Sequence, residues 1–413
     1  MRFIRVLVLF VVLSLGISAF AQQKQEVSFM TLDVTNFRPM LEEFIVEFEK
    51  ANPDVDIVPI FTSELGQQAI TAIESGNEPD IIFIWSEALI PYFWAKRFAT
   101  IPEKLEKKMR DSMYPYAIEA VEVEGKLYGV PYNFYPSFSM IMYNVDLWKE
   151  VGIDPTTAKT WDEFMEMAQK VTKRDASGRM TQAGFSAERD AFNYFMGWLL
   201  QMGGKVFNDD GTAAFDNELG RKALQLYADI YHKWKVDDAE FGLTADEFKK
   251  GRVASTVMGP WYGSLVSKEA PEIKFGYFKQ PKISEESSLA WPLFEVWTHV
   301  VSNKAQEKDG VWRFLDYLTK PDVCARWSAF SGEFSTVAET REHPDIVNSP
   351  YLGPFIEVLD FGVSTNITTS MLEEVMTALQ NMCRGVAYGQ FAVDEAISET
   401  AREINRIVKR FTR

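Results

Sequence analysis

The stretch Gly251-Arg-Val-Ala-Ser-Thr-Val-Met-Gly-Pro-Trp-Tyr262 predicts a buried strand, a sharp turn and then two large aromatic side chains. Residues 253–258 are uncharged and include β-branched side chains, as buried strands do. Gly259 permits a sharp turn, and the proline after it cannot continue a hydrogen-bonded ladder. Ligands of open α/β sheets bind beyond the carboxyl ends of the strands. The stretch therefore predicts that Trp261 and Tyr262 lie at a ligand site, the alternative being that both are core aromatics.

The N-terminus predicts a secretory signal peptide that spans residues 1–21. It has a basic start with Arg2 and Arg5, an apolar segment over residues 6–15, and an Ala-Phe-Ala cleavage site that ends at Ala21. The apolar segment is too short for a transmembrane anchor, and no cysteine follows the cleavage site to carry a lipid. We therefore expect a periplasmic or extracellular protein without a stable membrane anchor.

The composition favours an acidic, globular protein of two domains. The chain has 413 residues, of which 46% are apolar, and a formal net charge of −16. Such a length suggests two cores, and such a charge argues against binding to nucleic acid. The two cysteines, Cys324 and Cys383, favour two separately buried thiols over a disulfide. Because His232, His299 and His343 are isolated in sequence, we expect no metal site, and we expect no cofactor.

The first hundred residues alternate between strand and helix. Strands are predicted near residues 26–33, 55–60 and 81–85, with amphipathic helices between them, which is typical of a parallel sheet built from βαβ units. Small polar, acidic or aromatic side chains follow each strand at the edge where ligands bind. Ordinary polar loops with helix caps are the alternative interpretation. The candidates that these three strand exits supply are Asn36, Glu64, Trp85, Ser86 and Glu87.

Two aromatic segments predict where the chain passes between the domains. Residues 132–137 join two extended apolar runs, and residues 291–298 lead into another strand. We predict an α/β protein of two domains, each a mainly parallel sheet flanked by helices, joined by a hinge. The expected boundaries are 22–133 plus 298–345 for the N-terminal domain and 134–297 plus 346–413 for the C-terminal domain. Further candidates for the cleft between the domains are Tyr135, Ser137, Glu295, Trp297 and Glu333.

A series of short motifs follows the chain in a fixed order. Gly125-Lys-Leu-Tyr-Gly-Val-Pro131 is followed by Tyr143-Asn-Val-Asp-Leu147 and by Thr160-Trp-Asp-Glu-Phe164. Phe248-Lys-Lys-Gly-Arg-Val-Ala254 then precedes Met258-Gly-Pro-Trp261. In order and spacing, these motifs resemble the extracellular solute-binding proteins of sugar-type ABC importers, the family that includes maltose-type binding proteins.

The resemblance implies the two-domain periplasmic-binding-protein fold and roles for particular residues. In this family the aromatic residue after the Gly-Pro turn stacks on sugar, which implies that role for Trp261. The loop after the third strand and the segment before the Tyr-Asn pair also carry ligand contacts, which implies such contacts for residues 85–87 and 135–137. The chain departs from many relatives at Glu295-Val296-Trp297, where they have a pair of glycines. That departure leaves the shape of the return crossing open and can bring Glu295 into the cleft.

A carbohydrate ligand suits these residue types. Aromatic rings can cover the apolar faces of a pyranose, and carboxylates and amides can hydrogen-bond its hydroxyl groups. The resemblance implies a monomeric, non-enzymatic receptor that captures a carbohydrate, expected to be an oligosaccharide, and hands it to the membrane permease of an ABC importer. One alternative is the same scaffold with a non-sugar solute such as a cationic amine. Another is a secreted glycoside hydrolase that uses a pair of carboxylates among Glu87, Glu295 and Glu333.

Overall fold

The computed structural model describes residues 24–136, 138–188, 191–293, 296–364 and 372–411. Its strands, in chain order, are β1 (Gln25–Leu32), β2 (Val55–Thr62), β3 (Ile81–Trp85), β4 (Glu122–Val123), β5 (Lys126–Leu127), β6 (Val130–Phe134), β7 (Met140–Asn144), β8 (Lys173–Arg174), β9 (Met180–Gln182), β10 (Ser255–Val257), β11 (Phe275–Lys279), β12 (Trp291–Leu293), β13 (Trp297–Val301), β14 (Phe334–Ser335) and β15 (Gly362–Ser364). Its helices, in chain order, are α1 (Arg38–Ala51), α2 (Leu65–Ser75), α3 (Ile90–Trp94), α4 (Glu103–Ser112), α5 (Pro115–Glu119), α6 (Val145–Glu150), α7 (Trp161–Val171), α8 (Ala191–Gln201), α9 (Glu218–His232), α10 (Thr244–Lys249), α11 (Pro260–Glu269), α12 (Asp309–Leu318), α13 (Pro321–Ser331), α14 (Pro344–Val347), α15 (Leu372–Ala387) and α16 (Val393–Phe411).

A six-stranded mixed sheet forms the centre of the first lobe, with strand order β14-β6-β13-β3-β1-β2. β1 pairs in parallel with both β2 and β3, which confirms the predicted strand-helix-strand start of the chain. β13 returns from the second lobe and pairs antiparallel with β3 on one side and β6 on the other, and β14 pairs antiparallel with β6. This sheet is therefore mixed rather than mainly parallel as predicted. Residues 81–84 of β3 are almost completely buried, as expected for a central strand that is covered on both faces.

The second lobe contains a three-stranded sheet of order β10-β7-β11. Both outer strands pair antiparallel with β7, which differs from the expected mainly parallel arrangement, while the two-domain α/β class is confirmed. The reason is geometric. Because β7 begins where the chain leaves the first lobe, it runs away from that lobe. A strand that delivers its carboxyl end back to the first lobe must therefore run opposite to β7, and β10 does so.

Two large hydrophobic cores correspond to the two lobes. One core gathers buried side chains from residues 27–132 and 297–337, and the other gathers most of its side chains from residues 134–291 and 346–408. Trp297, the first residue of β13, packs in the core of the first lobe. The numbered domain boundaries stay a prediction.

The stretch from Gly251 to Tyr262 folds as a short strand, a turn and a helix. β10 is shorter than predicted, since Val253 forms only an isolated parallel bridge with Ala183. Gly259 is the residue before α11 and has an extended conformation, with φ −67° and ψ 166°. Pro260 is the first helical residue, where a missing N–H costs no hydrogen bond. The Gly-Pro pair therefore starts a helix and puts the next residue in its first turn.

The two cysteines, Cys324 and Cys383, are free and buried, as predicted. Burial raises the pKa of Cys324 to about 12, which suppresses its thiolate. Among the residues that the structure describes, no cluster of three or more His, Cys, Asp or Glu side chains is arranged to hold a metal ion. No described helix combines the length and apolarity needed to cross a bilayer. The predicted signal peptide, residues 1–21, lies outside the described residues.

His299 is a completely buried histidine in the middle of β13. Its ring stacks on Phe83, with centroids 4.4 Å apart and planes 13° apart. Neither ring nitrogen forms a hydrogen bond of normal geometry with the described residues. Burial lowers the pKa of His299 to about 3, and the nearby backbone of Val130 opposes that shift only in part. The folded protein therefore holds this histidine in its neutral form.

We expect the free energy of unfolding to fall in acid because of His299. Its pKa is lower in the folded chain than the value near 6.5 of an unfolded chain, so the unfolded state takes up the proton first. Protonation of His299 does not reduce the free energy of unfolding above about pH 6.5. As the pH falls from there toward 3, the free energy of unfolding decreases, by about 2–3 kcal/mol at pH 4.5. Urea unfolding at pH 7 and pH 4.5 should show this loss, and His299→Phe should reduce it. Equal losses in the two proteins would contradict the assignment.

Candidate functional site

A cavity of about 800 Å³ lies between the two lobes. One wall is the loop after β1 together with the start of α1. The opposite wall comes from α10 and α11, and the remaining residues close the base between the lobes. The residues that line the cavity are Leu32, Asp33, Val34, Thr35, Asn36, Phe37, Arg38, Pro39, Tyr135, Lys249, Trp261, Leu265, Glu269, Trp297 and Glu333.

The first wall is formed by residues 32–39, which leave β1 and enter α1. The backbone N–H of Asp33 donates to the carbonyl of Thr62 at 2.9 Å, which ties the start of the loop to the end of β2. The side-chain amide of Asn36 donates to the carbonyl of Ser331 at 3.1 Å, and Asn36 is only 6% exposed. The loop is therefore held at both ends, so its polar groups have fixed positions along the cavity.

The second wall is one face of α11. Trp261, Leu265 and Glu269 are spaced four residues apart, which places them on the same side of a helix, and all three line the cavity. The ring centroid of Trp261 lies 6.3 Å from that of Tyr135, with planes 57° apart. A Cβ atom on Gly259 would come within 2.8 Å of the Trp261 ring. The glycine therefore lets the indole lie close to the backbone at the start of the helix.

The base of the cavity presents a carboxylate in a fixed orientation. Glu333 is 3% exposed, and its carboxylate accepts a hydrogen bond from the side-chain amide of Asn133. Its backbone N–H donates to Ser331 Oγ at 3.2 Å. Trp297 also lines the cavity, although most of its indole is buried and packs edge-on against Trp85. The base therefore offers one oriented carboxylate and part of a second indole.

The basic side chains at the cavity are paired with carboxylates. The guanidinium group of Arg38 lies 2.9 Å from Glu42 and 3.2 Å from Asp33, and hydrogen bonds to these two carboxylates raise the pKa of Arg38. The ammonium group of Lys249 lies 2.9 Å from the carboxylate of Glu269. Carboxylates outnumber cations among the lining residues. The cavity is therefore slightly acidic and presents its two basic groups already neutralised by partners.

Five of the candidate residues from the sequence line the cavity together. They are Asn36, Tyr135, Trp261, Trp297 and Glu333. The rings of Tyr135 and Trp261 are half-buried and thus retain open surface, whereas the other three side chains are largely buried. Contact between a ligand and these five residues stays a prediction.

The three candidates at the end of β3 do not line the cavity. Trp85 packs against Trp297, with ring centroids 5.6 Å apart. Ser86 is 2% exposed, and its hydroxyl donates to the carboxylate of Glu87 at 3.3 Å. The physical reason is the strand order, since β13 lies beside β3 and places Trp297 over this exit. Trp85, Ser86 and Glu87 are therefore not part of the cavity lining, and contact between them and a ligand stays an untested prediction.

Tyr262 and Glu64 also lie away from the cavity. Tyr262 is completely buried, its hydroxyl donates to the carbonyl of Ala245, and its ring packs against Phe248. Consecutive residues of an α-helix point about 100° apart, and in α11 this rotation directs Trp261 to the cavity and Tyr262 into the interior. Glu64 is an exposed residue just before α2. Tyr262 is therefore a correction to the candidate set, whereas ligand contact of Glu64 stays a prediction. Ser137 and Glu295 lie outside the described residues.

Several lining residues on the second wall are not among those predicted from the sequence. Leu265 and Glu269 follow Trp261 at helical spacing, so the pattern could have identified them once the helix was placed. Lys249 carried no such signal. It reaches the cavity because α10 packs against α11, where Phe248 contacts Tyr262 with ring centroids 5.9 Å apart.

The chain is similar to known binding proteins over most of its length. It is 25% identical over 337 residues to a maltotriose-binding protein of Pyrococcus abyssi, which covers 77% of this chain and 67% of that protein. It is 25% identical over 353 residues to an sn-glycerol-3-phosphate-binding periplasmic protein of Yersinia pestis, covering 78% and 76% of the two chains. The solved structure of the maltose-maltodextrin binding protein of Alicyclobacillus acidocaldarius has the same fold. Its TM-score is 0.77 at 18% identity, covering 92% of this chain and all of that one.

A family model matches most of the chain. The model described as bacterial extracellular solute-binding protein matches residues 33–323, a range that includes the second wall of the cavity and all of the first wall except Leu32. It also includes the motifs around Gly125, Tyr143 and Trp261 on which the sequence resemblance rests. The chain therefore belongs to the family of bacterial extracellular solute-binding proteins, and the resemblance to its maltose-type members is confirmed.

Proposed function

We propose that the protein is a periplasmic or secreted receptor that binds an oligosaccharide in the interlobe cavity and delivers it to the permease of an ABC importer. The observation that carries this proposal is the Trp261 indole, which lines the cavity from the second lobe and faces the polar loop 32–39 of the first lobe. A ligand between these walls touches both lobes. It therefore binds the closed arrangement more tightly than an open one, as hinge-closing receptors require.

The lining groups match the chemistry of a sugar. Tyr135 and Trp261 supply open aromatic surface for the apolar faces of pyranose rings. Asp33 and Glu333 supply carboxylates that accept hydrogen bonds from hydroxyl groups, and Asn36 adds an amide. Small-molecule sites combine apolar walls with a few placed polar groups in this way.

The size of the cavity favours a ligand of more than one sugar ring. Ligand pockets commonly have volumes of about 300–1,000 Å³. The cavity of about 800 Å³ lies toward the upper end of that range, which gives room beyond a single hexose. The half-buried rings of Tyr135 and Trp261 have centroids 6.3 Å apart and planes tilted by 57°, so each ring offers its own surface to a sugar ring.

The charges argue against a phosphorylated ligand. Phosphate groups are bound by unneutralised Arg or Lys side chains or by helix N-termini. The two basic groups at this cavity, Arg38 and Lys249, are both held by carboxylates. A phosphate would have to displace those carboxylates and would then face them across the cavity.

A cationic amine is the second candidate, because aromatic surface and a buried carboxylate also suit an ammonium group. Glu333 supplies that carboxylate at the base of the cavity. We infer no enzymatic activity. Of the carboxylates that the hydrolase hypothesis could pair, Glu333 lines the cavity and Glu87 does not.

Calorimetric titration of the full chain with a graded panel tests the proposal. The panel contains a hexose, its di-, tri- and tetrasaccharides, a sugar phosphate and an amino sugar. We expect an oligosaccharide to bind at least about tenfold more tightly than the hexose, since more rings contact the aromatic wall. The absence of heat with every saccharide would overturn the carbohydrate proposal.

Glu333→Gln separates the neutral sugar from the cationic ligand. Glutamine keeps the shape of the side chain and one acceptor oxygen but removes the charge. For a neutral saccharide we expect a loss of affinity of about tenfold, the difference between a charged and a neutral hydrogen bond. For an ammonium ligand the loss should reach about 100-fold, because its countercharge disappears from a buried site. Glu339→Gln, in the same lobe but outside the cavity, serves as the control.

A further inference from the structure

The C-terminal carbonyl groups of α13 in the first lobe are hydrogen-bonded by side chains from the second lobe. The last carbonyls of any α-helix lack partners within the helix. Here the carbonyl of Phe330 accepts hydrogen bonds from Ser264 Oγ at 2.8 Å and from Lys268 Nζ at 2.6 Å. The carbonyl of Ala329 accepts one from the hydroxyl of Tyr351 at 2.6 Å. The end of α13 is thus capped across the interface between the lobes.

The Lys268 ammonium group makes two further favourable interactions at this place. It lies 3.6 Å from the centroid of the Phe330 ring, a cation–π contact. It also lies at the C-terminal end of α13, where the helix dipole favours a positive charge. Ser264 and Lys268 are four residues apart, so they form a strip on α11 beside the strip that lines the cavity.

Gly332 brings the two helices into direct backbone contact. It ends α13 in the left-handed region, with φ +79°. A Cβ atom on this residue would lie 2.7 Å from the carbonyl oxygen of Pro260 and 2.8 Å from both Ser264 Cβ and Trp261 Cα. The first turn of α11 therefore rests on the end of α13 with no space for a side chain between them.

These contacts are adjacent in sequence to the cavity residues of both lobes. Glu333 at the base follows Gly332 directly, and Trp261 lies three residues before Ser264. None of the side chains that cap α13 belongs to the cavity lining. The contacts can therefore hold the two walls in register without using any group that a ligand would need.

We propose that Ser264, Lys268 and Tyr351 of the second lobe and the end of α13, residues 329–332, form an interlobe latch that stabilises the closed arrangement of the lobes independently of any ligand. The latch positions Trp261 relative to Glu333. A ligand then meets a preformed site, and less of its binding free energy goes into moving the lobes.

The test measures the distance between the lobes in the full chain with no ligand added. Spin labels are attached at Gln67→Cys in the first lobe and Glu240→Cys in the second, both exposed, while the native cysteines are buried. The double variant Ser264→Ala/Lys268→Met removes two hydrogen bonds, one of them charge-assisted. We expect the ratio of closed to open molecules to fall by about tenfold or more.

A matched control is Ser267→Ala/Lys274→Met. Ser267 bonds within α11, to the carbonyl of Gly263, and Lys274 pairs with Asp146 in its own lobe. We expect this control to keep the distance distribution of the unmodified protein. The single variant Lys268→Arg, which keeps the positive charge, should retain most of the closed population. The single variant Lys268→Met should lose much of it.

Identical distributions for the latch variant and the control would overturn the proposal, as would an unmodified protein that is open throughout. Thermal melting of each variant shows whether it is folded. Because the measurement contains no saccharide, its result for the latch does not depend on whether the carbohydrate proposal is correct. A latch variant that stays closed overturns the latch whatever the ligand is.

Discussion

Replacing Trp261 with alanine should raise the dissociation constant for the bound saccharide by about 100-fold or more. Trp261 is the only aromatic residue among the described residues of the second wall, and its ring centroid lies 6.3 Å from that of Tyr135. Truncation of a central tryptophan at an interface commonly costs about 2–4 kcal/mol. Since each 1.4 kcal/mol is a factor of ten in affinity, about 3 kcal/mol corresponds to the expected loss. Titration calorimetry with the best ligand of the panel gives the number directly.

The matched control is Trp94→Ala. Trp94 ends α3 and is 57% exposed, so its removal deletes the same side chain from a surface away from the cavity. We expect no change in affinity from that variant. Trp261→Phe should give an intermediate loss, since a phenyl ring keeps part of the stacking surface. If Trp261→Ala bound as tightly as the control while remaining folded, the indole would not be a ligand contact.

The central strand-turn-helix could be predicted because its signals are local. An uncharged β-branched run, a Gly-Pro pair and an aromatic residue each constrain the backbone within a few residues, and the structure has β10, the turn and α11 in that order. The same holds for the alternation at the start of the chain, where β1, β2 and β3 pair in parallel. Only the length of β10 was overestimated, because Val253 pairs outside the sheet.

The directions of the strands in the second lobe could not be predicted from local signals. They depend on which strand lies beside which, and β10 reaches β7 from more than a hundred residues away. The surroundings of Trp85 likewise depend on which strand lies beside which. The sequence predicts an open strand end at Trp85. In the structure β13 lies beside β3, and Trp297 packs over that end.

Helix rotation explains the remaining errors at the site. The sequence pattern predicts Trp261 and Tyr262 at the site together, but consecutive helical residues point about 100° apart, and of the two only Trp261 lines the cavity. Which of them does so is set by the core of the second lobe, where Tyr262 bonds to Ala245 and packs on Phe248. Once Trp261 is known to face the cavity, Leu265 and Glu269 follow from the helical repeat.

Replacing Gly332 with alanine should lower saccharide affinity by about 100-fold, although Gly332 does not line the cavity. An alanine at φ +79° costs about 1 kcal/mol in backbone strain. Its Cβ atom would also overlap the Pro260 carbonyl and the Trp261 backbone, which belong to the rigid first turn of α11. Because neither helix end can yield by rotating a side chain, the overlap is relieved only when the lobes separate. Separation withdraws Trp261 from Glu333, so a ligand can contact only one wall at a time.

Gly76→Ala distinguishes this effect from backbone strain alone. Gly76 also ends a helix, α2, in the left-handed region with φ +68°, but a Cβ atom there would meet nothing within 4 Å. We expect both variants to lose about 1 kcal/mol of stability in urea unfolding, and only Gly332→Ala to lose saccharide affinity and the closed population in the spin-label measurement. Equal affinity in the two variants would mean that the contact between α11 and α13 does not control closure. A loss in Gly332→Ala alone would show that a residue outside the cavity sets the affinity of the site through the position of the second lobe.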